Sequence, residues 1–252
     1  MPDHKAEFCY CRSMELSILY EDQDIVAINK PAGLITHADG RTDERTAEEW
    51  FKERYQDSGG GYVHRLDRDT SGVLLFAKNQ ETYDFLRKAF HDREVHKTYV
   101  ALVYGVVKAR RGSIDFDIGR SRSDFRLRSA QPKAKGRLRE ALTRYEVVGT
   151  LVHENESYSL LIVQPETGRT HQIRVHLKAI HHPIISDPLY APNLTPGLGL
   201  ARLGLHAFQL SIPRPGGGER TIVAPLPADI AEAVRRFGVD ESQLSTYYPE
   251  RK

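Results

Sequence analysis

Residues 63–78 read VHRLDRDTSGVLLFAK. The second half, 73–78, is apolar as far as its closing lysine and of strand length, the pattern of a strand buried on both faces, and it predicts a sheet at the centre of the fold. The first half packs five ionisable side chains, His64, Arg65, Asp67, Arg68 and Asp69, into six positions. Thr70, Ser71 and Gly72 supply the bend between the halves. Taken alone, the charged run reads most simply as an ion-paired, solvated turn feeding the strand. Asp67, Asp69, Ser71 and Gly72 also match the opening of an EF-hand calcium loop. The twelfth position, which needs a bidentate Glu, is Lys78, and an apolar strand stands where a helix is required. The calcium reading therefore fails.

Outward from this stretch, residues 16–30 give two short β-like runs around a polar turn, closed by Pro31, Ala32 and Gly33. Thr46 and Glu49 form a capping box, with Ala47, Trp50, Phe51 and Tyr55 on one helical face. Thr82, Phe85, Leu86, Ala89 and Phe90 mark a second helix. Strands are predicted at 99–107, 141–149, 158–164, 203–212 and 220–226, and a helix at 228–237. Strands outnumber helices without strict alternation. The expected class is α+β, a mixed, largely antiparallel central sheet with flanking helices and an active-site cleft in the sheet. The expected organisation is an N-terminal extension (1–13), one catalytic domain (14–226), and a C-terminal helix and tail (227–252).

Forty per cent apolar and 28 per cent charged residues are ordinary globular values. No apolar run approaches the ~20 residues of a membrane span and the start carries no apolar leader, so a cytoplasmic protein without a membrane partner is expected. Cys9 and Cys11 are the only cysteines, which excludes a disulfide framework or a cysteine-ligated zinc site downstream. Charge is uneven: residues 108–139 hold eleven Lys and Arg against three Asp, within a net charge of +2. That segment suits a polyanion, or a solvated loop.

A second polar cluster, ETGRTHQIRVH at 166–176, places a Gly-containing turn before a helix. Thr170 is expected to cap that helix, with Ile173, Leu177 and Ile180 facing the core. Its N-terminal amides can receive an anion, and Arg169 and Arg174 supply fixed cations. An arginine beside a carboxylate favours the charged carboxylate. His171 and His176 are five apart, not the four that aligns two imidazoles on one helical face, so no metal site is expected. The sequence has neither a Gly-rich phosphate loop nor a G-x-S-x-G elbow, and nucleotide-dependent and serine-hydrolase chemistry lose support.

HRLDRDTSG at 64–72, NKPAGL at 29–34, KTYVALVYG at 97–105 and TGRTHQIRVH at 167–176 together resemble the RluA-type pseudouridine synthases, from about Leu16 to Leu226 and in the family's order. The resemblance implies cofactor-free isomerisation of uridine in RNA. Asp67 takes the role of the catalytic aspartate, Tyr99 that of the tyrosine stacked on the uracil, and Arg174 that of the arginine paired with the aspartate. Arg65 matches the arginine that enters the RNA stack when the uridine is flipped out. The other motif positions, His64, Leu66, Thr70, Arg169, His171 and Gln172, are expected to bind substrate. Arg68 and Asp69, variable in the family pattern, are expected to be local ion-pairing partners.

The basic segment then reads as a phosphate-contacting arm carrying Arg120, Arg122, Arg126 and Arg128, with Phe116 and Phe125 available for stacking. The segment ahead of Leu16 is too short for the S4-type RNA-binding domain of many relatives. Docking is therefore expected from the catalytic domain itself, as in the short members that modify tRNA, 23S rRNA or both, and a monomer is expected. A non-catalytic RNA-binding or ribosome-assembly protein on the same fold is the alternative, opposed by the intact Asp67, Tyr99 and Arg174 set. A glycosidase needs a held carboxylate pair, which Asp67 and Asp69 in a turn do not provide.

Overall fold

A computed structural model describes residues 15–247 except 39, 41–43, 57, 123, 125, 126 and 131–133. Residues 1–13 with both cysteines, and Phe125 and Arg126 of the basic segment, therefore lie outside the described residues. The strands are β1 (Ile18–Glu21), β2 (Ile25–Lys30), β3 (Gly61–Tyr62), β4 (Ser71–Ala77), β5 (His96–Tyr104), β6 (Arg111–Asp115), β7 (Ile118–Arg120), β8 (Arg128–Ala130), β9 (Lys135–Arg139), β10 (Leu142–His153), β11 (Glu156–Pro165), β12 (Leu205–Pro213) and β13 (Glu219–Val223). The helices are α1 (Ala47–Arg54), α2 (Gln80–His91), α3 (Gln172–Ala179), α4 (Ala228–Arg235) and α5 (Glu241–Leu244).

All seven residues of β4 are buried, because both of its faces are covered. Val73, Leu75 and Ala77 pack with Leu86 and Ala89 of α2, whereas Leu74 and Phe76 pack with Trp50 and Phe51 of α1. Two helices thus explain the continuous apolar run, since successive strand side chains leave opposite faces. β5 repeats the arrangement: Val100 and Leu102 meet Ile230 and Val234 of α4, and Ala101 and Val103 meet Ile173 and Leu177 of α3. Each fully buried Leu, Ile or Phe contributes about 1.5–3 kcal/mol. The C-terminal segment shares this core, with Leu244 of α5 buried beside Ile230 and Ala233.

The main sheet runs β1-β2-β4-β12-β5-β11-β10-β6, with β13 on β12 and β3 on β4. Every pairing is antiparallel except β4 with β12, so the sheet is mixed and largely antiparallel, as expected. That parallel pair sets the spacing of two of the motifs. Ala207 of β12 lies opposite Gly72 on one side and Tyr99 on the other, so the HRLD turn and the KTYV strand are two strands apart with a small residue between them. Gly72 is required there: its φ is +117°, and an added Cβ would lie 2.2 Å from the Ala207 carbonyl oxygen.

The described residues of the basic segment form strands. Residues 111–115 add edge strand β6 to the main sheet, and β7, β8 and β9 form a separate three-stranded sheet. Ile118 and Ala130 of that small sheet pack with Val175 of α3 and with Tyr190. Charged residues at the exposed positions hid the alternation, and such residues are common on strands at sheet edges.

His206 of β12 ties the sheet to α4. Arg202 grips Asp229 through Nε and Nη2 at 2.7 and 2.9 Å and donates Nη1–H to Ser71 Oγ. Ser71 in turn donates to His206 Nδ1, and His206 Nε2–H donates to the Ala224 carbonyl. Burial pushes this imidazole down to about 4, offset in part by the bond to Ala224. Folded protein then binds fewer protons than unfolded chain between pH 6.5 and 4, so this contribution to stability is lost as pH falls through that window. Urea unfolding should show a loss of about 2 kcal/mol between pH 7 and pH 5 from this group alone. His206→Gln should flatten the acid slope; an unchanged slope would refute the assignment.

Candidate active site

Asp67 stands in the turn that enters β4, and the turn is held from three directions. The Thr70 amide donates to the Asp67 carbonyl at 3.2 Å, and the Gly33 amide to the Arg68 carbonyl at 2.9 Å. Lys30, fully buried, donates from Nζ to the carbonyls of Pro31, Leu34 and Arg68 at 2.9, 2.7 and 3.0 Å. These three bonds join the NKPAGL loop to the HRLD turn and use every proton of an ammonium. Burial pushes Lys30 down to about 7 against the opposing pull of Asp67 and Asp69. Arg68 points outward and pairs with Glu44 at 3.2 Å, the local role expected of it.

The Asp67 side chain is 18 % exposed and accepts from Arg174 Nη1 at 3.2 Å. Arg174 itself is 2 % exposed, and its other edge is bound bidentately by Asp187, with Nε and Nη2 each at 2.8 Å. Asp187 is in turn fixed by the amides of Leu189 and Tyr190. The Tyr190 ring lies 5.1 Å from the guanidinium carbon. Burial works against the Arg174 charge, but Asp187 and then Asp67 outweigh it, so its proton is held above the ordinary arginine range. Nothing in the local sequence marks Asp187 as a site residue. It lies in HPIISDPLY, a proline-containing loop with no pattern that singles out one acid.

Tyr99 projects into the same cleft. Burial, then the Asp67 charge, pushes its hydroxyl well above the ordinary tyrosine range, so it stays a neutral phenol. His64 accepts the Leu75 amide at Nε2, which leaves its proton on Nδ1, and stacks on Phe90 at 5.0 Å. Burial, then Lys97, pushes it down to about 3. Arg65 is exposed at the cleft and contacts His37 Nε2 at 3.4 Å. Leu66 borders the cleft but packs in the core with Trp50 and Phe51, its amide and carbonyl both bonded to Thr36. Thr70 is buried at the cleft edge.

The expected Thr170 cap is corrected. The N-cap of α3 is His171, in a left-handed conformation at φ 57° without a side-chain cap. A turn through Gly168, closed by the Gln172 amide on the Arg169 carbonyl, delays the helix. Gln172 Oε1 then accepts from the Arg169 amide and Thr167 Oγ1. The amides of Arg169 and Gln172 are thus both satisfied within the turn. His171 Nδ1 accepts from the Tyr190 hydroxyl, which accepts the Arg128 amide. His176 donates to the Phe116 carbonyl and accepts from Thr143 Oγ1 inside the core.

Asp67, Tyr99, Arg174, His64, Arg65, Leu66, Thr70, Arg169, His171 and Gln172 all border one cleft of about 670 Å³. Arg120, Arg122 and Arg128 are not among its lining residues; Arg120 and Arg128 belong to the small sheet beside α3. A model of the RNA pseudouridylate synthase family matches residues 24–179, the span that holds these ten cleft residues but not Asp187 or Tyr190. The chain belongs to the RNA pseudouridylate synthase family. An RNA pseudouridine synthase of Mycobacterium bovis is 41 % identical over 230 residues, covering 87 % of this chain and 72 % of the relative. The tRNA pseudouridine synthase C of Haemophilus ducreyi is 35 % identical over 226 residues, covering 84 % and 91 %. Among solved structures, human RNA pseudouridylate synthase domain containing 1 superposes with a TM-score of 0.71 at 28 % identity, covering 86 % and 85 %. This pseudouridine synthase is of the RluA type, an isomerase acting on uridine in RNA.

Proposed function

We propose that Asp67 is the catalytic carboxylate and that the target uridine is flipped out of its RNA stack into the cleft. The observation that carries this reading is the orientation of Asp67. Among the described residues one side chain, Arg174, hydrogen-bonds its carboxylate, and Asp187 fixes that arginine from behind. The remaining oxygen lone pairs are available to a nucleoside. Isomerisation breaks the bond between C1′ and N1, turns the uracil and joins C1′ to C5, with the C5 proton lost and N1 reprotonated. A carboxylate held at the sugar–base junction suits that exchange as nucleophile or as stabiliser of cationic character.

Tyr99 supplies a ring face for the uracil and a neutral hydroxyl near its edge, which suits stacking and proton relay through the phenol form. Arg65, exposed at the rim, has the planar guanidinium needed to fill the gap left in the RNA stack. Structured RNA is the substrate class, tRNA or 23S rRNA, supported by the motif resemblance and by the tRNA-modifying relative. Site-resolved pseudouridine mapping of total RNA, with and without this protein, tests reaction and target together. At least one uridine should lose its modification when the protein is absent and regain it with purified protein; no change at any site would refute the reading.

A further inference from the structure

One side of the cleft is built from cations that the proposed chemistry does not use. Lys97 and Tyr99 are two residues apart on β5, so both leave the same face of the sheet about 7 Å apart along the strand. Tyr99 is within the field of Asp67, while Lys97 is within that of Arg169 and Arg93, opposed by Glu166, and itself acts on His64. Lys97 Nζ donates to the Thr167 carbonyl at 3.1 Å, its hydrogen-bond partner among the described residues, although an ammonium has three donors. Glu166, the neighbouring acid, is bonded to Arg144. Arg93 and Arg169 both reach Glu140, the first at its carboxylate and the second at its carbonyl, each at 3.0 Å. The Glu140 side chain is 61 % exposed, so that ion pair is a weak surface contact.

Three converging cations with spare donors therefore face a solvent-open cleft. We propose that Lys97, Arg93 and Arg169 form a phosphate seat that receives the RNA backbone phosphate beside the uridine held at Asp67. The inference rests on the isomerase reading above and adds where the strand is anchored. A phosphate oxygen accepts charge-assisted hydrogen bonds from all three groups and offsets their mutual repulsion. Burial, then Arg169 and Arg93, pushes the Lys97 ammonium down to about 8 against the pull of Glu166. Arg87 and His91, exposed at the C-terminal end of α2 on the same cleft, extend the basic track along the strand.

The test is the salt dependence of binding to a fluorescent oligouridine of about twelve nucleotides, comparing wild type, Lys97→Met and Lys97→Arg. Each phosphate contact contributes about 0.7 to the slope of log affinity on log salt for single strands. Lys97→Met should flatten the slope by about 0.7, so the affinity ratio between 50 and 200 mM salt shrinks roughly 2.6-fold, whereas Lys97→Arg should keep the wild-type slope. An unchanged slope in Lys97→Met overturns the seat. Should that variant fail to fold by circular dichroism, Arg93→Gln at an exposed position carries the same expectation and the same refutation. Wild-type activity separates the two failures. Pseudouridine formed by wild type together with an unchanged slope refutes the seat alone, and no pseudouridine from wild type on any RNA refutes the isomerase assignment of Asp67.

Discussion

Asp67→Asn is expected to lower kcat for pseudouridine formation by about 10⁴-fold or more while leaving RNA affinity within about twofold. The substitution keeps the shape of the side chain and its place in a turn fixed by Thr70, Gly33 and Lys30, so the fold has no reason to change. What disappears is the negative oxygen available to the nucleoside, and the amide that replaces it also meets Arg174 Nη1, a donor 3.2 Å away, with half its former acceptor capacity. Nucleic-acid affinity comes chiefly from phosphate contacts, which this substitution does not alter, so binding should survive. The check is release of the C5 hydrogen from RNA labelled at that position, beside a binding titration. A variant with wild-type turnover removes Asp67 from the chemistry.

The second large effect is expected at Arg174, through stability as well as rate. Arg174→Met leaves Asp187, itself 1 % exposed, as a buried carboxylate without its cation, which costs about 3–5 kcal/mol. It also removes the group that orients Asp67, so turnover falls even where the variant folds. Adding Asp187→Asn to Arg174→Met removes the stranded charge and keeps an oxygen for the Leu189 and Tyr190 amides, which should recover part of the stability and none of the activity. Urea unfolding and single-turnover kinetics on the three proteins separate the two roles. Equal stability of the single and double variants contradicts the buried-charge account, and wild-type kinetics in either removes Arg174 from the site.

Local patterns carried much of the architecture. The capping box at Thr46 and Glu49 is present with both of its hydrogen bonds, because cap and helix residues are close along the chain and need no tertiary partner. The continuous apolar run of β4 announced a strand covered on both faces, and α1 and α2 cover it. Elsewhere local signals misled. The strand expected at 99–107 runs from His96 to Tyr104 instead, and Thr170 lost the cap to a Gly168 turn closed by Gln172. In residues 111–139, four short strands with charged outer faces looked like loop, since their few inward residues find a core only once α3 and Tyr190 are in place.

By itself the sequence determined the class of fold, the motif positions at which Asp67, Tyr99 and Arg174 stand, and the polar character of the turns that carry them, since periodicity, caps and turns act over a few residues. Only the tertiary structure decided which side chains meet. Asp67 and Arg174 are 107 residues apart, Lys30 and Arg68 are 38 apart, and Asp187 becomes the anchor of Arg174 once the β4-β12-β5 order has been set. Strand order and register are properties of non-local packing, where one buried face selects its partner among many compatible ones. A lone acid in a loop, or a lysine at the start of a strand, acquires its partner and its altered proton affinity from that selection.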